Sequence, residues 1–578
     1  MSTLGLDRSG NGNDWIAVNK TIDDQVLDVP TNNFATLNPL TDVGDITLTE
    51  GNLVCTNTAD SWPSVFSTMG MTSGKWYFEA YGTDATRFAV GIAPKAFTVT
   101  NFDIESGAYV VYSTDPLTLY NNASSASAIN GTPAFVAGNI LGFAIDIDAG
   151  KMWIAINNTY VNDSGGDAGT PAAGNDPVMT FTAGTEMFVQ TAINRANVRF
   201  NFGQDSSFAG GKTAQGNTDS NSIGDFYYEP PSGFLALCTE NLPEPDVDSR
   251  NHFNTVIYTG NGGTNVITGV GFQPDFVWGK DRTGTDHHHL FDVVRGTNER
   301  LIPNLDAAEN TELVCLNSFD TDGFTLGSNE GLNANTQLHV AWNWKAGNAN
   351  TAFSESGNNP AGTHRANVAA GFSIVSYVGT GAAGTVAHGL SAAPEVMLIK
   401  NRDVTDAWAV YYGDNTDYMV LNTTAATADA ATYWNDTSPT ASVFTVNTAH
   451  SVNADAENYI AYVFHSVNGF SKMGTYLGNG ADDGRFVYTG FKPAFIMAKE
   501  VGGANQWHMM DNKRSPINPV DDHLKAQDQA AEDVDNAEFV LDFVSNGFKW
   551  RDADHDNQAT TYWYMAFAEG PFKYANAK

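Results

Sequence analysis

Short runs rich in Val, Ile, Phe, Tyr and Thr recur along the chain, each bounded by Gly, Asn, Asp or Pro. Lys75–Tyr81, Arg87–Ile92, Ile140–Ile147 and Lys151–Ile156 are of this kind. They read as strands, because alternation along such a run puts successive side chains on opposite faces of a sheet. The alternation in Trp76-Tyr77-Phe78-Glu79 and Phe143–Ile147 supplies inward faces for two packed sheets, and Asp148-Ala149-Gly150 turns a hairpin. Few windows show apolar residues at helical spacing; His523–Asn536 is the main exception and reads as one short helix or a polar loop. The pattern predicts an all-β chain.

Residues 1–48 form a polar, turn-rich arm too poor in apolar residues for its own core, with spaced anchors at Leu4, Leu6, Trp15, Ile16, Val26, Leu27, Phe34 and Leu37. A sandwich is expected over 49–205, and a Gly-, Ser- and Pro-rich connection over 206–249. Beyond it the sequence repeats. Tyr258-Thr-Gly260, Tyr377-Val-Gly379 and Tyr476-Leu-Gly478 each follow a Phe, and a hydrophobic strand ends at Lys280, Lys400 and Lys499, offsets of 22, 23 and 23 from the Tyr. Phe324, Phe444 and Phe548 continue the match. Three related β modules follow, over 250–348, 349–468 and 469–578. Periods of 119 and 99 residues exceed those of solenoid repeats, so each copy reads as a small domain with its own core, joined in series.

Composition narrows the function classes. In 578 residues, 65 Asp and Glu against 29 Lys and Arg leave a formal charge of −36, which sets the chain against nucleic acid and anionic membranes. Only 16% of residues are charged while 42% are hydrophobic, which excludes a disordered acidic tail. Cys55, Cys238 and Cys315 are too few and too scattered for a disulfide framework, and no signal segment or long apolar run is present. A soluble protein made in the reducing cytoplasm, without membrane insertion, is the expectation.

The segment with Ser73-Gly74-Lys75-Trp76-Tyr77-Phe78-Glu79, Val90-Gly91-Ile92-Ala93, Leu141-Gly142-Phe143-Ala144-Ile145-Asp146 through Trp153, and Asn201-Phe202-Gly203 resembles a SPRY-type, concanavalin-like β-sandwich. The wider order resembles virion structural proteins of marine tailed phages. It runs from Leu4-Gly-Leu6 and Trp15 through Asp28-Val-Pro30 and Phe34 to the sandwich, Pro231-Ser-Gly-Phe234, Cys238 and the repeats. That resemblance implies a non-enzymatic protein of the virion surface, a tail fibre or similar appendage subunit engaging a host-surface glycan or protein receptor beside other virion proteins. Capsid decoration as a head-fibre protein, without a receptor role, is one alternative and a glycan depolymerase the other. The apolar anchors of the arm, which must be buried somewhere, imply a homo-oligomer in which the arm contacts a neighbour or the virion, and the fibre analogy makes it a trimer; the arm lying along its own sandwich is the alternative.

Trp62, Tyr109, Tyr112 and Tyr120 fall in loops or edges, where an aromatic face stacks on a sugar ring, although core packing accounts for such residues as readily. Asp552, Asp554 and Asp556 place carboxylates at alternate positions, as a calcium loop begins. The sixth position is Asn557 rather than Gly and the twelfth is Trp563 rather than Glu, which favours an acidic turn; Asp320-Thr-Asp322-Gly323 reads as a plain turn. His287-His288-His289 lacks an acidic or Cys partner at ligand spacing, and neighbouring strand residues face opposite ways. Glu79 and Asp146 are the one carboxylate pair on sandwich strands that a glycosidase reading would use. No nucleophile or phosphate-loop motif occurs. No catalytic residue and no cofactor is expected, Ca2+ at the acidic loop being the only ion the sequence suggests.

Overall fold

The computed structural model describes residues 26–570 except 30, 42–43, 84–86, 95–106, 114–116, 122–123, 129–134, 162–168, 246 and 537–538. The arm anchors Leu4, Leu6, Trp15 and Ile16 lie outside the described residues. The chain forms two compact units, residues 1–244 and 245–571 apart from the chain's last residues.

The first unit is a β-sandwich. One sheet runs Thr47–Thr49, Val54–Asn57, Ala196–Asn201, Lys75–Gly82, Ile140–Asp146, Lys151–Ile156, Thr159–Tyr160, with Leu235–Ala236 added in parallel beside Lys75–Gly82. The other runs Ser64–Met71, Met187–Ile193, Phe88–Ala93, Tyr109–Tyr112, Thr118–Asn121, Ser124–Ala128. Trp76, Phe78 and Ala80 of the first sheet meet Val90, Ile92 and Val189 of the second in the core. The expected hairpin closes at Gly150, where a φ of +62° and a carbonyl of Phe181 only 2.1 Å from any Cβ leave room for glycine alone. The arm from Phe34 lies on this unit: Leu37 is fully buried, Ala35 N donates to Leu237 O, and Asn38 N to Phe66 O.

Residues 206–244, expected as a connection, instead coat the outer face of the larger sheet. Phe226, Phe234 and Cys238 bury there with Phe34, Tyr77 and Trp153 in a second, smaller core. The Gly- and Asn-rich composition supplies the turns, and sparse aromatics supply the burial.

The second unit contains the three modules, and each repeats one topology. A lead strand (Phe253–Thr259, Phe372–Val378, Ser471–Leu477) pairs with a closing strand (Leu338–Trp344, Asn458–Phe464, Thr561–Ala568). The closing strand pairs in turn with Phe276–Asp281, Val396–Asn401 or Pro493–Glu500; three further strands follow in the first and second modules and two in the third, and in the second module Gly362–Asn367 and Thr351–Phe353 extend the sheet beyond the lead strand. A small second sheet covers one face and encloses a private core, containing Phe324, Phe444 or Phe548 respectively. The other faces of all three main sheets share one larger core. At its centre Trp344, Phe464 and Phe567, one from each module, stand 6.3, 5.6 and 6.0 Å apart pairwise. Modules in series are therefore not what forms: the copies close into a ring around a common axis, because each main sheet is apolar on both faces.

The ring contacts repeat. Trp408 Nε1 donates to Ile302 O, Trp507 Nε1 to Val420 O and Thr423 O, and His288 Nε2 to Lys525 O, so each module reaches its neighbour from the same position, eight residues beyond its buried Lys. Glu309 bridges Arg295 and Arg402 at one junction, and Glu532 bridges Arg514 and Arg282 at another. At the third, Thr427 N donates to Val501 O. The stretch His523–Asn536 is a polar loop with a short strand Leu524–Lys525 rather than a helix, and it carries Glu532 into its junction.

Candidate functional site

Alternation in Tyr109–Tyr112 separates the aromatic candidates. Tyr109 turns into the sandwich core, 8% exposed, with its ring 5.6 Å from Phe181. Val110 and Tyr112 face outward. Trp62, Tyr112 and Tyr120, each half-buried, pack on a floor of Ala89, Val110 and Ala192. The Trp62 and Tyr112 rings meet edge to face at 5.3 Å, and Tyr112 and Tyr120 at 6.4 Å. Burial, reinforced by Tyr120, raises the Tyr112 phenol above its ordinary pKa, so it remains an O–H donor. The structure thus brings three of the four residues together on the outer face of the smaller sheet, where aromatic planes and hydroxyls lie side by side.

Glu79 does other work. It lies fully buried on the outer face of the larger sheet and accepts from Tyr227 N, Tyr228 N, Asn201 Nδ2 and Tyr77 Oη. Burial pushes its carboxyl up to about 7 against those hydrogen bonds. Lys75 pairs with Asp146 and Glu79 with Gly142 across the two strands, which separates the carboxylates by four positions, about 13 Å. That exceeds the roughly 5–10 Å that glycoside hydrolysis uses. Asp146 instead meets Lys75 Nζ at 3.3 Å.

The acidic loop is spent internally. Asp552 accepts from Val540 N and Asp554 N, and burial raises its carboxyl to about 6. Asp556 turns inward to His508 Nδ1 at 2.9 Å, and Asp554 is exposed. These three do not converge. Among the described residues, the acidic group whose oxygens lie within 4.8 Å of one another is Asp521, Asp522 and Asp535, which sequence spacing did not bring together.

The histidine run separates as alternation requires. His288 accepts from Trp278 Nε1 and faces the shared core, while His289 turns to the private core beside Cys315 Sγ, at 3.7 Å. His287 bonds Asn304. Asp320 and Gly323 close a hairpin, with Asp322 accepting from Gly269 N and Gly271 N.

Comparison with known proteins adds two findings. A family model described as "Domain of unknown function (DUF7483)" matches residues 248–571, more than half of the chain. Solved structures similar to the chain include the SPRY domain of human HERC1, with 14% identity, 28% of this chain and 96% of that one covered, and a TM-score of 0.22. The TRIM65 PSpry domain has 14% identity, 29% and 90% coverage and a TM-score of 0.23. Stonustoxin has 16% identity, 29% and 27% coverage and a TM-score of 0.23. No curated protein sequence matches.

Proposed function

The chain belongs to that DUF7483 family, and we propose that it is a non-enzymatic structural protein of a phage virion, a tail fibre or similar appendage subunit that engages the host cell surface. The Trp62–Tyr112–Tyr120 cluster carries the reading, because grouped aromatic planes with hydroxyl donors suit a sugar or a protein loop and offer no nucleophile or acid–base pair. The net charge of −36 favours a neutral receptor over an acidic polysaccharide. The resemblance of the motif order to that of marine tailed-phage virion proteins supports the virion reading.

Incubating purified protein with host envelope glycans tests the binding role. Retention without cleavage is expected; release of short oligosaccharides would make the protein a depolymerase. Antibody labelling of particles tests the location. Label on the tail is expected, and label on the head would replace the fibre with capsid decoration.

A further inference from the structure

Asn-Gly pairs occur six times in the chain, at Asn11, Asn130, Asn261, Asn468, Asn479 and Asn546, and the first two lie outside the described residues. Such a pair is chemically fragile in water, because glycine has no side chain to keep its amide nitrogen away from the neighbouring asparagine carboxamide. The fold protects three of the other four. At Asn261 the amide of Gly262 donates to Asn333 O at 2.8 Å, while the Asn261 side chain accepts from Gly263 N and donates to Thr264 O. At Asn479 the amide of Gly480 donates to Asn557 O at 2.6 Å, and the side chain accepts from Ala481 N and donates to Asp483 O. Gly547 stands within a strand, opposite Val544 and Tyr488, and the Asn546 carbonyl accepts from Thr489 N and Gly490 N. Asn468 is exposed, and neither its side chain nor the amide of Gly469 makes a hydrogen bond among the described residues.

Asn468 and Gly469 form the tip of the joint between the second and third modules. The closing strand of the second module ends at Phe464 and the lead strand of the third begins at Ser471. Between them Phe470 N and Ser471 N donate to Val467 O, and Val467 N donates to Ser471 O, which folds the joint into a tight turn. Val467 and Phe470, on either side of the tip, are buried in the shared core, and Gly469 takes a φ of +72°. A Cβ at Gly469 would stand 3.1 Å from the Pro245 Cβ, so the turn has a close neighbour on that side as well. Both ends of the turn are fixed, and its tip meets water.

We propose that Asn468, beside the free amide of Gly469, is a site of spontaneous deamidation that slowly loosens this joint. The Gly469 nitrogen attacks Asn468 Cγ; the new N–C bond closes a succinimide ring, the Cγ–Nδ2 bond breaks, and ammonia leaves with the Gly469 amide proton. Water then adds at one of the two ring carbonyls and opens the ring. Opening at Cγ gives aspartate. Opening at the main-chain carbonyl gives isoaspartate, in which the side-chain carbons join the main chain and lengthen it by one atom. Either product adds a negative charge to a chain already at −36. The longer link also has to fit between Val467 and Phe470, so isoaspartate draws one of them out of the close-packed shared core. At the other three described pairs, hydrogen bonds or a strand ladder hold the backbone, and the reaction waits for local opening. This chemistry needs no receptor and stands apart from the host-surface reading.

Ageing the full chain in mildly alkaline buffer, with mass spectrometry of chymotryptic peptides, tests the site, isoaspartate being separated from aspartate by chromatography. Asn468 is expected to deamidate at least about tenfold faster than Asn261, Asn479 and Asn546. In urea, where no turn survives, the four rates are expected to converge. Equal rates in the folded protein, or an Asn468 slower than the others, overturn the site, and a lead for Asn468 that persists in urea overturns the free amide as its cause. The denaturant midpoint of the second unit is expected to fall as isoaspartate accumulates. It is expected to hold in Asn468→Gln aged alongside, whose longer side chain closes the ring far more slowly, and in fresh Asn468→Asp, which carries the charge on an unaltered backbone. A midpoint that holds while isoaspartate forms, or that falls equally in Asn468→Gln, overturns the loosening.

Discussion

The Tyr-x-Gly unit that announces each repeat has a physical reason at both conserved positions of the triplet. The tyrosine hydroxyls donate to Leu332 O, Val452 O and Asp556 O at 2.9, 2.6 and 2.8 Å. The glycines pass so close to a backbone carbonyl that a Cβ at Gly260, Gly379 or Gly478 would stand 2.1 Å from Ala334 O, Ala454 O or Gln558 O. A rigid backbone atom cannot swing aside, so Gly379→Ala is expected to destabilise the second unit by about 2–3 kcal/mol in denaturant unfolding. Gly502→Ala, with nothing within 4 Å, should stay within about 0.5 kcal/mol. Equal effects would remove the steric account. The motif was therefore legible as a repeat, while its cause needed the distant loop that only the fold brings near. The aromatic candidates show the same limit: a period of two separates Tyr109 from Tyr112, but sequence does not say which of the two faces the core. The six Asn-Gly pairs were equally visible, and only the fold shows that Gly469 keeps its amide free.

Among the elements, the strands that end in Lys280, Lys400 and Lys499 carry the clearest electrostatic signature. Each lysine is fully buried and its Nζ donates to the carbonyl of the next residue and to a carbonyl four residues on, closing its own turn. Burial pushes all three down to about 8 from their ordinary 10.5. Between pH 8 and 10.5 the unfolded chain keeps protons that the folded chain has shed, so stability rises with pH there, by up to about 1.4 kcal/mol per pH unit for each lysine. Buried tyrosines such as Tyr377 are held above their ordinary 10.0, so near pH 10 they reverse the trend. Denaturant midpoints of the second unit should therefore climb from pH 8 to about 9.5, and less steeply in Lys400→Met. A flat profile in the unaltered protein would show that the lysines fold fully protonated. The junction elements give a second expectation. Glu532 lies between Arg514, which is fully buried, and Arg282, so Glu532→Gln leaves buried positive charge short of a partner. A loss of about 3–5 kcal/mol is expected, and similarly for Glu309→Gln, whereas Thr427→Val, which keeps the backbone bond to Val501, should cost well under that. Sequence showed these acidic residues only as charge, since their arginines lie in turns 14 to 18 residues away or in other modules.

For the whole molecule, the fold class and the threefold repeat were readable from alternation and spacing, but the way the repeats associate was not. A strand apolar on both faces, such as Phe495-Ile496-Met497-Ala498, fits a domain core and a core shared between domains equally well on sequence alone. In the structure Ile496 and Ala498 face the private core while Phe495 and Met497 face the shared one. The third module places Phe495, Met497, Trp507, Met509, Leu524, Trp563, Met565 and Phe567 in that shared core. At roughly 1.5–3 kcal/mol for each large side chain, its contribution is on the order of 10–20 kcal/mol, comparable with the entire stability of a typical domain. Two modules left without the third would expose Trp342, Trp344, Phe253 and Phe464 to water. Calorimetry of the full chain is therefore expected to show residues 245–571 unfolding in one transition, and a chain ending at residue 468 is expected to lose that transition altogether while the sandwich still melts cooperatively. Three separate transitions, or two surviving modules in the shortened chain, would restore the picture of independent domains in series and make the shared core an incidental packing of stable parts.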